Sequence, residues 1–148
     1  VTQPLAPGLS LRFDVNLDGQ DIATFTGCSG LEAQYEVLEW QEGGGNGSVA
    51  RLSGRLSHSN IKLTRSVDAD SGKLAAWFSQ QQRQPVRSNA AVRLFDGNHA
   101  VVATWTLEGA WPVRYSGPVL TAGPAGDTIA VETLELAHEG FTWQVGEG

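Results

Sequence analysis

The groups in this 148-residue chain that could do chemistry are three histidines, two glutamates near the C-terminal end, a glycine-rich run and one cysteine. His58, His99 and His138 stand far apart, with no paired spacing and no cysteine cluster beside them, whereas a zinc site normally draws on local ligand pairs. His58 and His99 read as exposed turn residues. His138, between Ala137 and Glu139 at a strand end, suits a hydrogen-bonded structural role. A Ser-His-acid triad can be assembled on paper from any serine-rich sequence, so its availability carries no information. The run Gly43-Gly44-Gly45-Asn46-Gly47-Ser48 lacks the lysine of a phosphate-binding loop, and no helix follows it. Glu132 and Glu135 are three apart, which puts them on opposite faces of a strand and spoils a paired-carboxylate site. Glu132 shares its parity with Leu134, Leu136 and His138, so it reads as a buried charge needing a basic partner, which a neighbouring subunit could supply. Trp40, Trp111 and Trp143 could build a sugar platform, while the neighbours of Trp77 and Trp105 point to the core. A hydrolase built on His138 and Glu135 would need a pocket joining nucleophile and base. No catalytic set, cofactor motif or metal-ligand set emerges.

The elements that must position these groups are mostly strands. Phe13, Val15 and Leu17 alternate with Asp14 and Asn16, the pattern of a half-buried strand, with Leu11 and Arg12 in phase ahead of them. Asp18-Gly19 turns the chain, and residues 21–26 can return as its hairpin partner. Residues 31–40 are β-like but carry charges on both parities, as a strand outside a monomer's core does. Residues 42–48 form a flexible tip, and 49–56 return, so 31–56 is a protruding hairpin. Ile61, Leu63 and Val67 face inward on a further strand. One helix is capped by Asp70 or Ser71, packs through Leu74, Trp77 and Phe78, and stops at Pro85. Residues 91–95 and 100–108 flank the turn Asp96-Gly97-Asn98. Pro112, Gly117-Pro118 and Gly123-Pro124 mark an irregular stretch, and strands near 128–137 and 141–145 close the chain. The fold class is mainly β: an antiparallel barrel or sandwich of about eight strands with one α-helix against it.

Residues 1–148 are expected to form a single soluble domain, with 1–8 as a flexible N-terminal arm. Cys28 stands alone, which excludes an intramolecular disulfide. A net charge of -6 argues against unspecific nucleic-acid binding, which depends on neutralising phosphates. No apolar run approaches the roughly 20 residues of a membrane helix.

Three segments together resemble the tail-tube family of contractile injection systems, which spans phage tail tubes and tubes of extracellular phage-tail-like particles and is related to the type VI secretion tube. They are Phe25-Thr26-Gly27-Cys28-Ser29-Gly30-Leu31-Glu32-Ala33 with Val37-Leu38-Glu39-Trp40-Gln41-Glu42-Gly43-Gly44; Leu52-Ser53-Gly54 through Ile61-Lys62-Leu63-Thr64-Arg65; and Trp105 through Ala110-Trp111-Pro112-Val113-Arg114-Tyr115-Ser116-Gly117-Pro118 to Val131-Glu132-Thr133-Leu134-Glu135-Leu136-Ala137-His138-Glu139-Gly140. Gly45, Ser53 and Ser66 depart from the family's commoner residues there. The resemblance implies a structural subunit that forms hexameric rings stacking into a hollow tube. Its partners are other copies of itself, sheath, baseplate and cap components, and effector cargo in the lumen, in a particle assembled in the bacterial cytoplasm. It implies no catalysis, no cofactor and no membrane insertion by the monomer. Glu39, Glu42, Gly43, Gly44, Asn46, Arg51 and Arg55 are the expected inter-ring contacts, and Glu132, Glu135, His138 and Glu139 the expected subunit seam. The alternatives are an initiator or terminator ring of the same machine and, from another class, a carbohydrate-binding β-sandwich.

Overall fold

The computed structural model describes residues 12–21, 25–41, 49–69, 71–120 and 130–146. The arm at 1–8, the glycine-rich tip at 42–48 and the candidate cap Asp70 lie outside the described residues. The elements are β1 (Arg12–Leu17), β2 (Gln20–Asp21), β3 (Gly27–Ser29), β4 (Ala33–Gln41), β5 (Val49–His58), β6 (Ile61–Ser66), α1 (Ser71–Arg83), β7 (Ser88–Phe95), β8 (Val101–Ser116), β9 (Val131–Ala137) and β10 (Gly140–Val145). All strand pairings are antiparallel.

The alternation in β1 holds, with Val15 and Leu17 buried and Phe13 packed against the core. The hairpin with β2 is real: Asp18 and Gly19 take positive φ at 51° and 80°, and two residue pairs follow among the described residues. The main partner of β1 is β7, through six pairs from Arg12–Phe95 to Leu17–Ala90. Strand β3, which the sequence did not suggest, pairs with β6 and is too short to display a period.

Strand β8 organises the molecule. The expected irregular stretch beyond Glu108 is instead its second half, so the strand runs unbroken to Ser116. Pro112 cannot donate to a ladder, and a bulge between Pro112 and Arg114 absorbs the defect. Gly109, at φ 58°, bends the strand. Before the bend β8 pairs with β7 and β10, and after it with β9. Strands β9 and β10 lie end to end along one edge of β8, joined by His138 and Glu139, whose N–H reaches the Glu108 carbonyl at 2.8 Å. The result is a bent eight-stranded sheet of order β2-β1-β7-β8-β9-β6-β3 with β10 alongside β8, and a corner where strands switch from one half to the other.

The core fills that bend. Val15, Leu17, Phe25, Ile61, Leu63, Leu74, Val92, Leu107, Leu134 and Leu136 are buried together. Each such side chain removed from water contributes about 1.5–3 kcal/mol. Leu63 and Leu134 face one another across the β6–β9 ladder and are both fully buried. The helix offers Leu74 to this core, with Trp77 and Phe78 half-buried beside it, as the spacing predicts. At its start the Ser71 Oγ accepts the Asp68 N–H at 3.0 Å and the Ser71 N–H reaches the Asp68 carbonyl at 3.1 Å, so this side chain braces the turn before the helix instead of capping a helical N–H. Trp105, expected in the core, is only partly buried against it.

Candidate functional site

The most unusual surface belongs to β4 and β5, which form a two-stranded sheet paired to no other strand among the described residues. All nine residues of β4 are exposed. The apolar side chains Tyr35, Val37, Leu38, Trp40, Val49, Leu52 and Leu56 are all exposed on this hairpin. Leu38 lies opposite Leu52, and Trp40 opposite Ala50. Such a row of solvated apolar groups marks a surface destined for contact. Glu39 and Arg51 are direct cross-strand partners, joined at 3.0 Å. That exposed pair contributes little to stability. Arg55 is exposed further down β5, and Glu42, Gly43, Gly44 and Asn46 lie outside the described residues. The register slips between Tyr35 and Val37, where Gly54 packs tightly: a Cβ there would stand 3.0 Å from the Glu36 carbonyl oxygen.

The expected seam residues divide into two faces. Glu132 is buried, as its parity suggests, but its basic partner lies within the chain. Arg65, itself 1% exposed, donates from Nη1 to Glu132 Oε1 at 3.2 Å, and Tyr115 Oη donates to Oε2 at 2.6 Å. Arg65 also reaches Asp68 at 2.6 Å and the Ser71 hydroxyl at 3.3 Å. One guanidinium thus ties β6, β9 and the start of the helix together. The anticipated intersubunit salt bridge to Glu132 is not needed, because burial had to be answered locally. The Glu132 carboxylate accepts the Tyr115 O–H, and with burial and its negative charge it holds the phenol above the usual tyrosine range.

Glu135 points the other way. It sits between Lys62 on β6 and Arg114 on β8 in register, with Lys62 Nζ at 3.9 Å. Glu139 is exposed and pairs with Arg87, whose guanidinium also stacks 4.5 Å from the centre of the Trp111 ring. His138 turns inward, donating from Nε2 to the Ser59 carbonyl at 2.9 Å. His58, expected on an exposed turn, instead ends β5 half-buried, its ring 5.4 Å from that of His138. His99 is an exposed turn residue with φ 63°.

Apart from the contact between His58 and His138, the candidates for chemistry do not gather. Among the described residues, no group of three or more His, Cys, Asp or Glu is placed to hold a metal ion. Cys28 is half-buried against the core, and desolvation pushes its thiol up to about 11, away from the reactive thiolate. Of the tryptophans proposed for a sugar platform, Trp111 lies under Arg87, while Trp40 and Trp143 sit on separate sheets. No described helix is long and apolar enough to cross a membrane.

A bent antiparallel sheet with a detached, apolar, solvent-exposed hairpin defines a structural subunit made to meet other subunits. The family model described as T4-like virus tail tube protein gp19 matches residues 9–142, and the chain belongs to that family. It is thus a tail-tube protein of the contractile injection systems. A chain in the anti-feeding prophage baseplate structure is 31% identical, with a TM-score of 0.79 over 96% of this chain and 98% of that one. A chain in the anti-feeding prophage cap structure has the same fold at 23% identity and a TM-score of 0.79, covering 99% of this chain and 94% of its own. The PVC sheath-tube complex in its extended state contains a chain 24% identical, with a TM-score of 0.76 over 90% of this chain and 88% of that one. None of the curated proteins matches the sequence.

Proposed function

We propose that this chain is the repeating subunit of the inner tube, forming closed hexameric rings that stack head to tail. The observation that carries this reading is the β4–β5 hairpin, whose strand β4 is exposed throughout and which holds seven large apolar side chains in solvent. Alone in water such an arm is an aggregation liability; in a ring, neighbouring copies cover it. Closed rotational symmetry limits growth around the axis, while heterologous stacking leaves it open-ended. Glu39, Arg51 and Arg55, with Glu42, Gly43, Gly44 and Asn46 at the tip, make the contacts between rings. Glu135 and Glu139 present charge at the subunit seam, and Glu132 and His138 hold that strand from behind. Residues 1–148 act as one domain with 31–56 as its assembly arm, and 1–8 as a flexible extension. The tube's role is structural and not enzymatic. Sheath, baseplate and cap proteins are its partners, with effectors in the lumen, in a particle assembled in the cytoplasm and released from it.

Deleting residues 43–47 tests the arm. The expected result is folded subunits or rings with no long tubes by negative-stain microscopy; normal tubes would overturn the assignment. The 31% identity to a chain in a baseplate structure favours a second reading, a ring at the end of the tube. Purified protein that stops at single rings, whatever its concentration, selects that reading, and tubes of open-ended length select the first.

A further inference from the structure

The root of the β4–β5 hairpin contains a pair of histidines that ring stacking does not explain. His58 closes β5, and His138 fills the joint between β9 and β10. Their ring centres are 5.4 Å apart, and Phe141 packs against both, at 5.3 Å and 6.0 Å. Gly140 leaves room for the His58 ring: a Cβ there would lie 3.3 Å from Nε2. His138 must carry its proton on Nε2 to donate to the Ser59 carbonyl, so its Nδ1 is the lone-pair nitrogen. That Nδ1 and the Nδ1 of His58 are both buried with no hydrogen-bond partner among the described residues. This geometry accommodates two neutral rings. A proton on the Nδ1 of each would bury two N–H groups without acceptors and set two positive charges side by side.

Charged groups stand unequally around the two rings. From the link before β4, Glu32 accepts the Ser59 hydroxyl at 3.2 Å and lines the same cleft as His58. From the β9–β10 joint, Glu139 is held by Arg87. From β6, Lys62 is engaged with Glu135 of β9. Glu108 of β8 and Arg55 of β5 are exposed, and the facing residues of β4 and β10, Ala33, Gln34 and Phe141, carry no charge. Glu32 thus stands on the His58 side of the pair, while Glu139, next to His138 in the chain, is engaged by Arg87.

We propose that His58 and His138 form a proton-sensitive latch at the root of the hairpin. With both rings neutral, the bond from His138 to Ser59 and the packing on Phe141 fix the hairpin to the body. With both protonated, the root opens and the arm loses its fixed direction while the body stays folded. Imidazole is the side chain whose charge change lies nearest neutral pH, which makes acidification the perturbation to apply. The consequence for assembly rests on the hairpin role proposed above: tubes would loosen between rings on acidification.

Residue-resolved amide hydrogen exchange on the full chain tests the latch without relying on that role. After correction for intrinsic rates, going from about pH 7.5 to about pH 5 should lower protection about tenfold or more at those amides of the Ala33–His58, Gln34–Ser57 and Tyr35–Leu56 pairs that are bonded across the ladder, leaving Leu63 and Leu134 protected. His138→Gln keeps a donor for Ser59, and His58→Phe keeps a ring against Phe141; neither replacement titrates. Each should abolish the acid-dependent difference. Retained protection at the hairpin root in the parent protein, an equal loss in both variants, or simultaneous loss at Leu63 and Leu134 would each overturn the latch. A variant that fails to fold shows itself by losing Leu63 protection at neutral pH, and the other variant then decides. If the latch holds but acid leaves assembled tubes intact, the hairpin's assembly role is what falls.

Discussion

Replacing Glu132 by alanine should destabilise the subunit by about 3 kcal/mol without a specific effect on assembly. The magnitude follows from what is left behind. Arg65 is 1% exposed and would lose a buried counter-charge, a change that typically costs about 3–5 kcal/mol. Two features place the value at the lower end. The Arg65–Glu132 contact is a single bond of 3.2 Å, and Asp68 remains 2.6 Å from the same guanidinium. Loss of the acceptor for Tyr115 adds at most about 1 kcal/mol, since that residue is 41% exposed and water can reach it. With a urea m-value of about 2 kcal/mol/M, the unfolding midpoint falls by about 1.5 M. In the double variant Arg65→Met/Glu132→Leu both charges leave together, and the loss should be under about 1 kcal/mol. Urea unfolding of unassembled subunits measures all three proteins. A loss below about 1 kcal/mol in Glu132→Ala, or a double variant no more stable than Glu132→Ala, refutes the buried-pair reasoning. A Glu132→Ala subunit that keeps its stability but cannot form rings would return Glu132 to the seam.

Tyr115, held above the usual tyrosine range by Glu132, should show it directly. A raised folded-state value means this contribution to stability is intact below the ordinary tyrosine titration near pH 10 and is lost as pH rises through the folded value. The absorbance titration of the parent minus that of Tyr115→Phe isolates the phenol, and Glu132→Gln should move it down. Cys28, raised from 9.0 to about 11, should react with a thiol reagent about 100-fold more slowly at pH 8 in the folded chain than after unfolding; equal rates would contradict its burial. Gly30→Ala should cost more than about 2 kcal/mol, because φ is +94° and the new Cβ would sit 2.0 Å from the Asn60 carbonyl oxygen. Gly19→Ala, at φ +80° with nothing within 4 Å, meets only the backbone strain and should cost about 1 kcal/mol; thermal melts of the two glycine variants measure both losses.

The legible elements are those whose pattern comes from one kind of burial. Val15 and Leu17 alternate against solvent, Leu74, Trp77 and Phe78 recur at helical spacing, and charges on both parities of β4 give away a strand with no core beneath it. Arg65 shares the buried parity of Ile61 and Leu63, whereas Val67, in the same phase but past the end of the strand, is exposed. A charge earns its place inside only through a partner, and Glu132 lies 67 residues away, joined through the β6–β9 ladder. Pro112 reads as a break because the bulge that tolerates it is a property of two strands. His58 looks like a turn residue until His138 and Phe141 are brought beside it.

The bend in β8 has a mechanical consequence. Its sixteen residues are flanked by β7 on one edge and by β9 and β10 end to end on the other. A pull along β8 loads those ladders in shear, so many hydrogen bonds must yield at once. The β4–β5 hairpin, joined to the body at its root, can be peeled open one pair at a time. Under load the body would act as the stiff member and the hairpin as the compliant one, so strain passing between subunits would gather in the arm.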